Sequence, residues 1–593
     1  MPQRWRLNIL ALTLLAFGVS ACAQDVGDID RTQPNKIKKS IFQDDSEWYF
    51  EQTVIDTSVE GQSGRNIFGE QVARPIFSGL KNRRMKRVQW EIYEDVLYAR
   101  ATVEPVQGLT EQTDGEDHNQ LGIVAAFPIE SHFDVQRQYN PQTGEPTNVI
   151  VEDSSDREWD EREYMRVDWS TNLVTSFSSV GDGLGRLSPK ETTEKKREIP
   201  QDKEYSNPAR TRITEDYVEM TTEYVYDPDV VACQSNFGPD SIYHCEGATA
   251  KVRSSFMKVP DEKTYKPMQY RGDEPLMKPG SDYEPMKSAS TAIAGQGFSL
   301  ARCNNETIND QNREFYGQEP SEFCADASFS YFDRFGYFRT ETATWNEEYG
   351  TYDKGRKQWA NRFNIWETMY DDSGNLLPAE ERTPEPIIYH MNAAFPSSLF
   401  EEAELTAQAW NKTFMESVRL AKGYDSNDQV VEDLQAAGHE AGEMFRVVKN
   451  GCHPEKIVAW HDEQSSQDSD RDSVQAIFEE YVGTTSDLES NIRDLAFDQR
   501  KQLCSELEWA TNQRADEDHP FTWQRRGDLR HNFFTYIQDE VAYLGYGPLS
   551  ADPKTGEIIS ATANFAGRIL GRIATQQTDT LQYLNGDLTK NEI

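Results

Sequence analysis

The sequence predicts an α+β protein, with a β-rich N-terminal region followed by a mixed α/β region toward the C-terminus. Two observations carry this. Up to Trp345, apolar and polar residues alternate over short runs, the period of a half-buried strand. After Pro384 and Pro386 the pattern becomes a short apolar strand, a long amphipathic helix and further strands.

The N-terminus comes first. Arg4 and Arg6 precede an apolar run over residues 9–19, too short to cross a bilayer and of the length of a secretory signal. It ends in Val19-Ser20-Ala21-Cys22, which resembles a bacterial lipobox, so Cys22 is the expected lipidation site and first mature residue. The rival reading is an ordinary signal cut after Ala21 or Ala23. Alanine rather than aspartate at position 23 directs the anchor to the outer membrane. The reading is therefore 1–21 as signal peptide and 22–45 as flexible tether, its polar stretch running over 24–39.

A β-rich domain is expected over 46–256. Val88, Trp90 and Ile92 alternate with polar residues, Glu94-Asp95 can turn the chain, and Leu97, Ala99, Ala101 and Val103 alternate again as a hairpin. Prolines 260, 267, 275, 279 and 285 mark 257–292 as a linker or surface crossing. Further aromatic strands fill 293–383. Past it, Ile387 to Met391 reads as a strand, and Ser398 with Glu401 as a capping box opening a helix. That helix carries Leu399, Ala403, Trp410, Phe414 and Val418 on one face. Strands follow near Met444 to Val448, in "DLRHNFFTYI", and in "GYGPLSADPKTGEIISATANF", where a glycine-rich turn leads into a strand.

Composition excludes some functions. With 61 Lys and Arg against 101 Asp and Glu, the net charge is −40, and no basic stripe is present to follow a phosphate backbone. Nucleic acid is not an expected partner. Six cysteines besides Cys22 suit an oxidising compartment, and sequence neighbours give the pairs Cys233–Cys245, Cys303–Cys324 and Cys452–Cys504. Structural zinc is the rival, but no pair has the two-residue separation of a zinc knuckle.

Three local patterns bear on metal or cofactor chemistry. His439-Glu440 has Glu443 where a zinc helix of the H-E-x-x-H kind needs its second histidine, so a polar helix end is the plainer reading. Asp468, Asp470, Asp472 and Glu479 occupy positions 1, 3, 5 and 12 of a calcium loop, but Ser473 stands where the loop needs glycine. The alternative is a solvated acidic run capping a helix. Gly181, Gly183 and Gly185 lack dinucleotide-loop spacing and read as a turn.

Several blocks carry a resemblance: "AAFPIESHFDVQRQYNPQTGEPTNVIVEDSSDREWDEREYMRVDWS" (125–170), "FGYFRTE" with "ANRFNIWE" (335–367), "PIIYHMNAAFPSSLFEEAELTAQAWNKTF" (386–414), "GDLRHNFFTYI" (527–537) and the glycine-rich segment above. In these the chain resembles a family of large bacterial lipoproteins with a metzincin-like zinc metalloprotease domain. The resemblance implies that 384–593 is the upper half of that domain: its first strand, its long helix, and a strand edge between Gly556 and Phe565 along which a peptide or protein pairs by β-augmentation. The family's zinc helix comes after this segment, and no residue here matches its ligands, so neither a zinc ligand nor a catalytic residue is carried over. The expectation is a metzincin-like subdomain truncated before its zinc site, without a cofactor and inactive alone. The alternative is a complete, non-enzymatic envelope lipoprotein that binds or scaffolds.

Overall fold

The computed structural model describes residues 29–33, 36–59, 74–75, 85–103, 106–107, 122–169, 171–174, 211–226, 248–260, 264–270, 338–346, 351–392, 395–450, 454, 457–458, 460–461, 471–483, 487–495, 497–510, 524–537 and 544–589. Helices and sheets are mixed, as an α+β class requires. The chain forms two compact units.

The smaller unit comprises 1–40, 93–96 and 129–168. In it, Ile29–Asp30 pairs with Pro146–Asp153, and Ile37–Lys38 pairs with Tyr164–Val167. Ile37 and Lys39 are buried, and the Lys39 ammonium donates to the Trp159 carbonyl. The expected 22–45 tether is thus corrected where it is described: polar composition does not prevent short strands whose gain is backbone hydrogen bonding around one apolar anchor.

In the larger unit an antiparallel sheet runs in the order Val96–Ala101, Lys86–Ile92, Trp48–Val59, Ala248–Lys258, Tyr217–Tyr226 and Arg212–Ile213. The expected hairpin is present, with Val88 opposite Ala101 and Ile92 opposite Leu97. The Ala248–Lys258 strand runs two residues past the expected boundary at 256. One face of this sheet is aromatic: Trp48, Trp90 and Phe256 lie against one another, with Phe42 and Trp169 packed in. The other face carries Tyr49, Glu51, Thr53, Arg87, Tyr217, Glu219, Arg253 and Ser255. Most of these polar residues are buried too, because the segment from Gln524 to Asn532 lies over them. The alternation is that of a strand, but its polar phase faces protein.

A second sheet combines Gln269–Tyr270, Thr351–Ala360, Arg339–Asn346 and Val106–Gln107. The third holds the C-terminal strands. Arg362–Phe363, Glu557–Ala566, Asn532–Ile537, Ile387–Met391 and Phe445–Val448 are parallel where they pair. Gly545–Tyr546 and Leu549–Ala551 lie antiparallel on the far side of Glu557–Ala566. The helix Phe400–Lys422 joins Ile387–Met391 toward Phe445–Val448. It buries Ala403 and Ala407 against Ile387, Tyr389, Met391 and Val447. Met415 and Val418 enter a separate core with Val430, Leu434 and Met444.

Two details of this helix differ from expectation. The Ser398–Glu401 box does not form: Ser397–Leu399 is a 3-10 turn after Pro396, and Leu399 caps the helix without a side-chain bond. The backbone bonds of that turn do the work instead; a capping box forms at Ser426 and Gln429 of the next helix, Asn427–Ala436. Trp410, at the rim of the buried stripe, is exposed, with its ring beside Phe414 and Phe445. Gly423 ends the helix in the left-handed region.

Candidate functional site

The hairpin formed by 545–551 and Glu557–Ala566 lies at one edge of the third sheet. Thr562 N–H donates to the Pro548 carbonyl (2.9 Å), and Ala566 N–H to the Leu544 carbonyl (2.8 Å). Antiparallel strands alternate hydrogen-bonded and open pairs, so these bonds fix the phase. Leu544, Tyr546, Pro548 and Ser550 direct their backbone groups inward, and Gly545, Gly547, Leu549 and Ala551 direct theirs outward. Pro548, which has no N–H, therefore falls on the phase where a donor would be turned away from the edge. Gly545 and Gly547 belong to this edge, and among the described residues no strand pairs its outer side. Natural edges are guarded by charge, proline or bulges. Here the proline guards nothing, and the register shift at Ser550 and Ala551 comes only at the end of the edge.

The expected edge between Gly556 and Phe565 is corrected by this geometry. Glu557–Ala566 has partners on both sides, with Asn532–Ile537 and Arg362–Phe363 on one and 545–551 on the other. The outer edge lies one strand further out.

The hairpin tip is clasped by charge. Arg87 binds Asp552 through Nε (2.8 Å) and Nη2 (2.6 Å), and gives Nη1 to Glu47 (2.6 Å). Lys554 donates to both Glu47 oxygens, at 2.7 and 2.8 Å. Burial pushes the Glu47 carboxyl up, but bonds from Lys554, Thr102 and Arg87 outweigh it and hold it at about 2. Gly556 closes the tip at φ +74°, and a Cβ there would meet the Ala360 carbonyl and Trp359 Cβ, both at 2.8 Å.

A second ionic group lies under the polar face of the first sheet. Glu219 is met by Arg525 at 3.1 Å, Arg253 at 3.7 Å and Arg212 at 3.9 Å. Tyr217 donates to Glu219 (2.9 Å), Ser255 to the Gly527 carbonyl (2.6 Å), and Arg253 to the Arg526 carbonyl (2.6 Å). Burial alone would raise the Glu219 carboxyl; the guanidiniums of Arg253, Arg525 and Arg212 overcome this and hold it below its ordinary range. Beside it, Arg530 pairs with Asp528 (2.7 Å) and stacks on Tyr217.

The residues expected at sites fare differently. Cys22, Cys233, Cys245, Cys303, Cys324 and Cys452 lie outside the described residues, as do Asp468, Asp470 and the Gly181 turn. Cys504 is buried and disulfide-bonded, its partner outside the described residues. Of the calcium-loop residues, Asp472 and Glu479 fall within the helix Arg471–Val482. His439 lies in the turn after Asn427–Ala436 and faces Glu385 at 3.5 Å.

His390 lies on Ile387–Met391 and His531 just before the neighbouring strand Asn532–Ile537, with their rings 5.0 Å apart, and Asp528 is 3.9 Å from His531. Asp528, however, is already bound by Arg530 at both oxygens, and among the described residues no three His, Cys, Asp or Glu side chains converge. Among the described residues, no helix is long and apolar enough to cross a membrane.

The clasp and the Glu219 cluster escape sequence reading because their partners are hundreds of positions apart. The turn "DPKTG" is visible; that Asp552 anchors to Arg87 is not. No family model matches the chain, and neither a curated protein nor a solved structure does.

Proposed function

We propose that this chain is an exported envelope lipoprotein, anchored to the outer membrane through Cys22 and related to metzincin-like zinc metalloproteases. Its C-terminal sheet binds an extended peptide along the 545–551 edge. The observation that carries this is the outward backbone phase of Gly545, Gly547 and Ala551 on an edge that no described strand covers. The strand Ile387–Met391 followed by the long helix Phe400–Lys422 in the same sheet supports the family reading. With no H-E-x-x-H in the sequence, the role assigned to these residues is binding, without cleavage.

Gly547→Pro tests it. The variant removes one outward N–H and leaves the inward bonds alone. Loss of one backbone hydrogen bond is worth about 1 kcal/mol, so the Kd of a fluorescein-labelled, alternating Val-Thr octapeptide should rise several-fold. An unchanged Kd, or no measurable binding by the wild type, contradicts the reading.

A further inference from the structure

The clasp at the hairpin tip holds two carboxylates and commits its cations to one of them. Asp552 N–H donates to the Glu557 carbonyl (2.8 Å) and Gly556 N–H to the Asp552 carbonyl (2.9 Å), so the two acids close the same turn. Three N–H groups of Arg87 go to Asp552 and Glu47. The other nearby guanidinium, Arg362, spends Nε on the Tyr265 hydroxyl (2.7 Å) and Nη2 on the Lys266 carbonyl (2.6 Å). Glu557 is therefore a mostly buried acid beside a buried acid, with both guanidiniums directed elsewhere.

We propose that pH sets how firmly the hairpin tip is held, and through it how well the 545–551 edge pairs with peptide, with Glu557 as the sensing group. The binding half of this rests on the edge reading above; the sensing half does not. When Glu557 is neutral, Arg87 stays divided between Asp552 and Glu47. When it ionises, it repels Asp552 and competes for Arg87, drawing on the contact that fixes the tip. The groups facing it are Asp552 on the turn, Arg87 and Tyr49 from the first sheet, and Arg362 and Tyr265 from the adjoining segments, while Lys554 and Glu47 bond to each other in the same clasp. Burial is the first cause that pushes the Glu557 carboxyl up, Asp552 adds to it, and Arg87 and Arg362 only partly offset them, leaving it at about 7.

The test compares the full chain and its Glu557→Gln variant by amide hydrogen exchange at pH 6 and pH 8, corrected for intrinsic rates. It reads the Asp552, Gly556 and Thr562 amides, which are bonded within the hairpin. Binding of the labelled Val-Thr octapeptide is measured in parallel. In the wild type, protection should fall about tenfold from pH 6 to pH 8, the equivalent of one pH unit of linkage, and the octapeptide Kd should rise in step. In Glu557→Gln both should stay constant within about twofold. An equal change in both proteins, or none in the wild type, overturns the proposal. If exchange responds as described but the octapeptide binds at neither pH, the sensing stands and the edge reading falls.

Discussion

Glu219→Gln is expected to destabilise the protein by about 3–5 kcal/mol, the usual cost of breaking a buried ion pair from one side. Glu219 and Arg525 are each 1% exposed, and Arg253 and Arg212 are 4% and 5% exposed, so little water is available to solvate the cations left behind. Tyr217 can still donate to the amide oxygen of the substituted side chain, which keeps steric disturbance small and leaves charge as the term that changes. The assay is urea unfolding followed by tryptophan fluorescence, since Trp48 and Trp90 are buried in the same sheet. Arg525→Met is the control: it leaves Arg253 and Arg212 on the carboxylate and should cost clearly less. A loss below about 1 kcal/mol for Glu219→Gln would mean that the cluster is solvated or pairs differently, and would refute the argument.

Glu557→Gln should act in the opposite direction. An acid whose folded pKa is raised from 4.5 to about 7 withdraws stability as pH climbs through that window, so the variant should gain at most about 3 kcal/mol at pH 8 and nothing below pH 4. Glu47 has the reverse sign; its contribution is present above 4.5 and lost as pH falls toward 2, which acid titration of Glu47→Gln against wild type measures. Gly556→Ala places a methyl into the Ala360 carbonyl at a left-handed backbone, and should lower stability by at least about 1–3 kcal/mol in the same urea assay. Mass spectrometry of the mature protein should find a diacylated Cys22 at its N-terminus; an unmodified peptide starting at Ala23 or Gln24 rejects the anchor. Non-reducing peptide mapping should place Cys504 with Cys452, and a different partner would reject the pairing of neighbours.

Much of the fold is legible in the sequence because its signals are local. Trp90 opposite Ala99 and Ile92 opposite Leu97, the strand Ile387–Met391, and the turn ahead of Glu557–Ala566 all follow from periodicity and turn residues. What stays hidden depends on tertiary context. Glu51 and Glu219 read as solvent-facing strand positions, and it is the Gln524 to Asn532 segment, far along the chain, that makes them interior. The capping box at Ser398 is chemically sound, but Pro396 has already started a tighter turn. The edge falls one strand away from its expected place for a related reason. Leu549–Ala551 is three residues long, too short to announce itself, and its role follows from register.

The most direct test of the edge reading is a phase scan of the bound peptide. The labelled Val-Thr octapeptide would be prepared with single backbone N-methyl groups at each position in turn, and each Kd measured against the full chain. Pairing with Gly545, Gly547 and Ala551 requires every second peptide N–H to donate to the edge. Methylation at alternate positions should therefore weaken binding roughly tenfold or more, while the positions between are tolerated. A flat profile, with every position equally sensitive or equally indifferent, would show that peptide does not add to this sheet as a strand.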